Sequence, residues 1–349
     1  MPLNWLHTVG KSIKDFYGRT LRPIGCEWQE PVWLNHLGSD LIQRADRMKE
    51  LGVSIVRVSL NAWLWRNDPT YKPFIDQIVA ELGSRDIYTI LNFQKDKQFG
   101  AMTDAEEIAY LENPTELINF WRDVALRYIN TPSACAYEIF PAVWPASGYD
   151  MNTLQTLWHP VALQVVNEIH SINPNVLCFV PDAGPSIVRG FQTSPLPAPN
   201  VVYLIHRYYH YDLQAGLAYA VSYSTGDLET AKRQMINTFK PGFLDFSQSY
   251  PVFFIEFGAT MENPNWNVQI EDLHNLLRDY GLGFTQHVWY PNPSESYGFG
   301  MIMEDFLTLN LIGEIWSKYI VPMPTSPIEL LIRAALSAAS GVGFILISL

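Results

Sequence analysis

Between Leu21 and Tyr319 eight short apolar runs alternate with helical segments, and this alternation constrains the fold more than any other feature of the chain. The runs are Leu21 to Glu27, SIVRVSL, IYTILNF, SACAYEIF, NVLCFVPD, NVVYLIH, PVFFIEF and GFTQHVW. Near-continuous apolar runs bounded by Pro, Gly or polar residues read as strands buried on both faces of a parallel sheet. Between them, GSDLIQRADRMKELG, PFIDQIVAELGSR, Glu116 to Tyr128, Asn152 to Ile172, Leu228 to Phe239, NVQIEDLHNLLRDYG and Phe306 to Tyr319 carry apolar residues at helical spacing. Strand–helix alternation implies right-handed crossovers, and eight repeats favour a closed (β/α)8 TIM barrel of the α/β class over an open sheet. No GxGxxG follows the first strand, which argues against a dinucleotide fold. The segment HTVGKSIKDFYGRTLRPIG predicts an N-terminal hairpin turning near Tyr17-Gly18. The expected organisation is a barrel domain over residues 1–320, a Pro-rich linker over 321–327 and a hydrophobic C-terminal helix over 328–349.

Composition narrows the partners. Of 349 residues, 48% are hydrophobic and 17% charged, the balance of a folded chain. A net charge of −12 argues against nucleic acid, whose binders present basic faces. The cysteines, Cys26, Cys135 and Cys178, are odd in number, show no CxxC or Cys/His spacing and fall in predicted strands, as buried free thiols do. Nothing calls for a metal or an organic cofactor, and nothing specifies an oligomeric state. The N-terminal stretch MPLNWLHTVGKSIKDFYGR lacks a basic region followed by an apolar one, so no signal peptide is expected. The tail is uncharged from Ala334 to Leu349; it reads either as a membrane anchor, of unassigned side, or as a helix docked on a cytoplasmic domain.

In such barrels function collects where strands end. Here the exits are rich in aromatics: Trp28 and Trp33, Trp63 and Trp65, Trp144, Tyr208, Tyr209 and Tyr211, Trp266, and Trp289 and Tyr290. Rings of this kind offer sugar C–H edges an apolar platform. The run PVFFIEFG places a carboxylate, Glu256, at the exit of a buried strand, where an ionised group must be paired. Arg57, inside SIVRVSL, is its natural partner in a barrel lumen. His206 ends NVVYLIH with Tyr208 two residues on, and Asp182 ends NVLCFVPD, where it can also serve as a helix cap.

From about Trp5 to Ile320 these residues, in this order, resemble the cellulase-type (family 5) glycoside hydrolases, retaining (β/α)8 glycosidases. The resemblance implies that Glu256 is the nucleophile and that Arg57 orients it. It also implies that His206 and Tyr208 shape the reacting sugar's site, with Trp289 as the sugar platform and Trp28, Trp63, Trp144 and Trp266 as further stacking surfaces. One motif departs from the family. Its fourth strand ends in Asn-Glu-Pro, that Glu being the general acid/base; here AYEIFPAVW places Pro141, Ala142 and Val143 at those positions. Gln94 stands where the family's third strand has a His. Glu138, four residues before Ala142, is expected deep in the lumen, about 13 Å below it at about 3.3 Å per residue. Asp182, Glu27, Glu30 and Glu295 remain as acids near strand exits.

Three functions follow from this pattern. The first is O-glycosyl hydrolysis of β-linked glycans or glycosides with a missing or relocated acid. The second is a non-catalytic oligosaccharide-binding pseudoenzyme, tethered to a membrane by residues 328–349. The third is a barrel whose ligand is not a sugar, with the Glu256–Arg57 pair kept for structure.

Overall fold

The computed structural model describes residues 3–34, 40–141, 143, 149–184, 188–258, 260, 264–290 and 299–320. Ala142, Trp144, Glu295, the linker 321–327 and the tail 328–349 lie outside the described residues. An antiparallel N-terminal sheet of β1 (His7–Val9), β2 (Ser12–Lys14) and β3 (Thr20–Leu21) precedes a closed parallel barrel. The barrel strands are β4 (Ile24–Trp28), β5 (Ile55–Asn61), β6 (Tyr88–Lys95), β7 (Ala136–Glu138), β8 (Leu177–Pro181), β9 (Val201–Tyr208), β10 (Val252–Gly258) and β11 (Gly283–Gln286). Each pairs with the next, and β11 closes onto β4. The expected (β/α)8 fold and its eight strands are therefore present. Among the described residues no helix is long and apolar enough to cross a membrane.

Local readings needed correction at three places. The single hairpin is two reversals, one at Gly10 and one over Asp15–Arg19, where the Asp15 carboxylate accepts the amides of Tyr17 and Arg19, each at 2.9 Å. Leu21 thereby joins β3, and the first barrel strand starts at Ile24. The last helix begins at Leu311 and not at Phe306: the Asp305 carboxylate takes the amides of Leu307 and Thr308 into a loop, and Asn310 then caps the helix. Short helices at strand exits, Ala62–Asn67, Asp104–Glu112, Tyr209–Gln214 and Ala218–Thr225, were not legible as apolar periodicity.

The lumen is layered. Its lower half is apolar, filled by Ile55, Ile90, Leu177, Phe179, Val202, Leu204, Phe253 and Ile255. Its upper half is polar, with Glu27, Arg57, Ser59, Asn92, Glu138 and Thr285 all fully buried. Strand alternation explains most of this placement: Ile55, Arg57 and Ser59 share the inner face of β5, while Val56, Val58 and Leu60 face the helices. In β10 alternation breaks. Phe253 and Ile255 face the lumen, yet Phe254 and Phe257 both pack in the outer core. The register against β9 shifts between Phe254 and Glu256. This bulge turns Glu256 inward; a regular strand would have aimed it at the helices.

Candidate active site

Glu256 sits opposite His206 in the β9–β10 register, with Tyr208 opposite Gly258. Arg57 reaches it from across the barrel, donating from Nη1 to Glu256 Oε2 at 2.5 Å. The Tyr208 hydroxyl donates to the other oxygen, Oε1. The same guanidinium serves two further carboxylates. Its Nε and Nη2 make a bidentate pair with Glu138 at 2.6 and 2.8 Å, and Nη1 lies 2.8 Å from Glu27. Glu27 also accepts from Ser59 Oγ at 2.8 Å and pairs with His287 Nδ1 at 2.7 Å. Arg57, Glu27 and Glu138 are sealed, whereas the Glu256 side chain keeps 17% of its surface exposed. That exposed edge faces a cavity of about 330 Å³, lined also by His206, Tyr208, Gln94, Pro141, Trp33 and Glu107.

Electrostatics follow from this crowding. Burial alone would raise the Glu256 pKa; Arg57 above all, then His206, His287 and the Tyr208 hydroxyl, hold it well below the usual carboxylate range. The result is a carboxylate kept ionised and pointed at open space. Burial dominates at Glu138, pushing it up to about 7 despite Arg57. At Glu27 the attraction of Arg57 and His287 outweighs burial and lowers the pKa. Tyr208 is driven well above its ordinary value, first by burial and then by Glu256, so it stays a hydroxyl donor. Glu27, Glu256 and His287 bring ligand-capable atoms within 4.8 Å of one another, but the cation bonded to both carboxylates is Arg57.

His206 is 5% exposed, its Nδ1 3.6 Å from Glu256 and its Nε2 3.8 Å from Glu138, both beyond hydrogen-bond reach. Burial lowers its pKa to about 4, so the ring is neutral at pH 7. The unfolded chain, with an ordinary His pKa of about 6.5, binds that proton more readily. This group therefore contributes stability above pH 6.5 that is lost as pH falls toward 4. Carbon-detected NMR of labelled histidine should show the His206 ring titrating near pH 4; a midpoint near 6.5 would contradict the assigned environment.

Several residues expected at the mouth lie elsewhere. Trp28 ends β4 fully buried, with Nε1 donating to Glu30 at 2.9 Å. Trp266 opens the helix Trp266–Asp279 and packs in the core at 9% exposure. Trp289 is fully enclosed, edge-on to Trp316, and does not line the cavity. Trp63 is half-buried in the helix Ala62–Asn67, also away from it. Barrel-to-helix packing, which needs large side chains, takes up Trp28, Trp266 and Trp289, and Trp33 is the indole that lines the cavity among the described residues. Asp182 is a cap: its Oδ2 accepts the amides of Gly190 and Phe191 at 2.7 and 3.2 Å. Glu30 is tied to Arg44. The structure brings Arg57, Tyr208 and Glu256 into contact, while sequence reasoning missed His287, Ser59 and Glu107. Ser59 carried a usable signal, since it lies two residues from Arg57 on the same strand face.

The family model for cellulase (glycosyl hydrolase family 5) matches residues 15–293. The chain belongs to glycosyl hydrolase family 5. Endoglucanase B of Acetivibrio thermocellus is 26% identical over 250 residues, covering 57% of this chain and 43% of that protein. The chain thus spans less than half the length of that relative. Among solved structures, the native beta-glucanase of Saccharophagus degradans superposes with a TM-score of 0.69 at 17% identity, over 92% of this chain and 94% of that one. An endocellulase of Pyrococcus horikoshii, solved with cellotetraose, gives 0.70 at 14% identity over 91% and 98%. At these identities the structural likeness is one of fold.

Proposed function

We propose that this family 5 barrel cleaves β-linked glucans or β-glucosides with retention of configuration, Glu256 acting as nucleophile. The observation that carries this is the Glu256 carboxylate itself: held ionised by Arg57 and Tyr208, and open to the cavity on its remaining side. In the first half-reaction a Glu256 oxygen attacks the anomeric carbon, the glycosidic C–O bond breaks, and the leaving oxygen takes a proton. Water then bonds to the anomeric carbon and gives up a proton as the bond to Glu256 breaks, which frees the carboxylate and balances the proton taken up in the first step. Cellotetraose complexes of the Saccharophagus and Pyrococcus proteins support cello-oligosaccharides as the substrate class to try first.

Turnover of 2,4-dinitrophenyl β-cellobioside tests this reading, because its leaving group needs little protonation. Proton NMR should show the β-anomer of cellobiose forming first. No turnover, with or without azide, would sink it. Tyr208→Phe should cost about 10- to 100-fold in kcat, since a hydrogen bond to a charged group is worth about 1.5–3 kcal/mol. Its acid limb should also move to higher pH, because Glu256 loses a donor that favours the anion; an unchanged limb would contradict the contact.

A second reading, oligosaccharide binding without turnover, draws support from β7. Pro141 and Ala142 occupy the family's Asn and acid positions, and the one carboxylate of the strand, Glu138, is bound to Arg57. It predicts cellotetraose affinity indifferent to Glu256→Gln and no product under any condition.

A further inference from the structure

We propose that Glu107, on the helix that follows β6, is the proton donor of this site, replacing the acid that the β7 exit lacks. The inference rests on the hydrolytic reading above. Among the described residues lining the cavity, Glu107 and Glu256 are the two carboxylic acids. Glu107 belongs to the helix Asp104–Glu112, anchored at its start by a capping box between Thr103 and Glu106. That helix is fixed over the β7 exit by aromatic packing: the Tyr110 ring lies 5.5 Å from Phe93 and 6.2 Å from Phe140. Phe140 is the residue before Pro141, which lines the same cavity, so Glu107 approaches from the side where a family member carries its acid.

The charged groups around Glu107 are accounted for. Its near neighbour Glu106 takes Lys97 at 2.9 Å, and Asp96 pairs with Arg66. Lys95, across the cavity wall, donates to the Gly100 carbonyl at 3.3 Å. Asp104, on the same helix, repels a charge on Glu107, and no ion pair or hydrogen bond to the Glu107 carboxyl occurs among the described residues. Burial first, and Asp104 second, push the carboxyl up to about 7, the poise a general acid needs near neutral pH. In the first half-reaction Glu107 gives its proton to the departing glycosidic oxygen as Glu256 attacks. In the second, the Glu107 carboxylate takes a proton from the water whose oxygen bonds to the anomeric carbon, and Glu256 leaves.

Azide separates this role from others. Glu107→Ala should lower kcat on phenyl β-cellobioside and cellotetraose by about 10²- to 10⁴-fold. On 2,4-dinitrophenyl β-cellobioside, azide should restore its turnover and yield the β-glycosyl azide. Glu107→Gln should erase the basic limb near pH 7 of kcat/KM on the phenyl substrate. Wild-type turnover with no azide product from Glu107→Ala, or the same rescue appearing in Lys95→Ala instead, would overturn the assignment and leave Glu256 as nucleophile. A wild-type chain inert on every substrate would overturn both together.

Discussion

A Glu256→Ala variant is expected to hydrolyse 2,4-dinitrophenyl β-cellobioside about 10⁴- to 10⁶-fold more slowly than the wild-type chain, the scale on which removal of a covalent nucleophile acts. The fold should survive the change. Arg57 keeps its bidentate partner Glu138 and its contact to Glu27, so no cation is left unpaired. The vacated space faces an open cavity, where no packed core collapses. Loss of activity with an unchanged thermal midpoint would therefore be chemical in origin. Azide can enter the space and attack the anomeric carbon from the side that Glu256 occupied. The expected product is the α-glycosyl azide, opposite in configuration to the product predicted for Glu107→Ala. Residual turnover within tenfold of wild type would show that another group carries the attack.

Arg57→Met has the largest expected effect on stability. The guanidinium holds three carboxyl groups, two of them fully buried, in a lumen whose next layer down is apolar. Removing one partner of a buried ion pair costs about 3–5 kcal/mol, because the remaining charge is stranded. The direction with pH can be worked out. Without Arg57 the carboxyls of Glu27, Glu138 and Glu256 lose an attraction that favours their anions, so each pKa rises relative to wild type and the folded variant binds more protons than the folded wild type. The stability gap to wild type should therefore narrow as pH falls. Urea unfolding at pH 7 and pH 5 measures both quantities. Adding Glu138→Gln should recover part of the loss, since it removes one stranded charge in direct contact with the lost cation. A gap that widened on acidification would contradict the network as described.

The strand–helix order was legible because a barrel strand buried on both faces leaves a long apolar signature. Arg57 and Glu256 were legible as charged residues in places where burial is costly, and Tyr208 as an aromatic at a strand exit. Other parts of the site were hidden for identifiable reasons. The β10 bulge that turns Glu256 inward depends on pairing with β9, and a single strand's sequence carries no register. Trp28, Trp266 and Trp289 read as rim residues because exits and outer-face packing positions differ by one residue in parity or by one helical turn. The last helix starts at Leu311 and not at Phe306 because the Asp305 side chain holds the amides of Leu307 and Thr308 in a loop, a local interaction that periodicity does not register. Glu107 lay in a helix of weak amphipathic pattern, and its relevance came from the packing of Tyr110 on Phe140.

Covalent trapping tests the central claim most directly. The chain would be incubated with 2,4-dinitrophenyl 2-deoxy-2-fluoro-β-cellobioside, whose good leaving group permits attack while the fluorine slows release of the intermediate. Proteolysis and mass spectrometry then locate the sugar. The predicted result is one fluorocellobiosyl group per chain, on the peptide carrying Glu256 and absent from Glu256→Ala. No adduct, or an adduct on a different carboxylate, would contradict the assignment of Glu256 as the nucleophile.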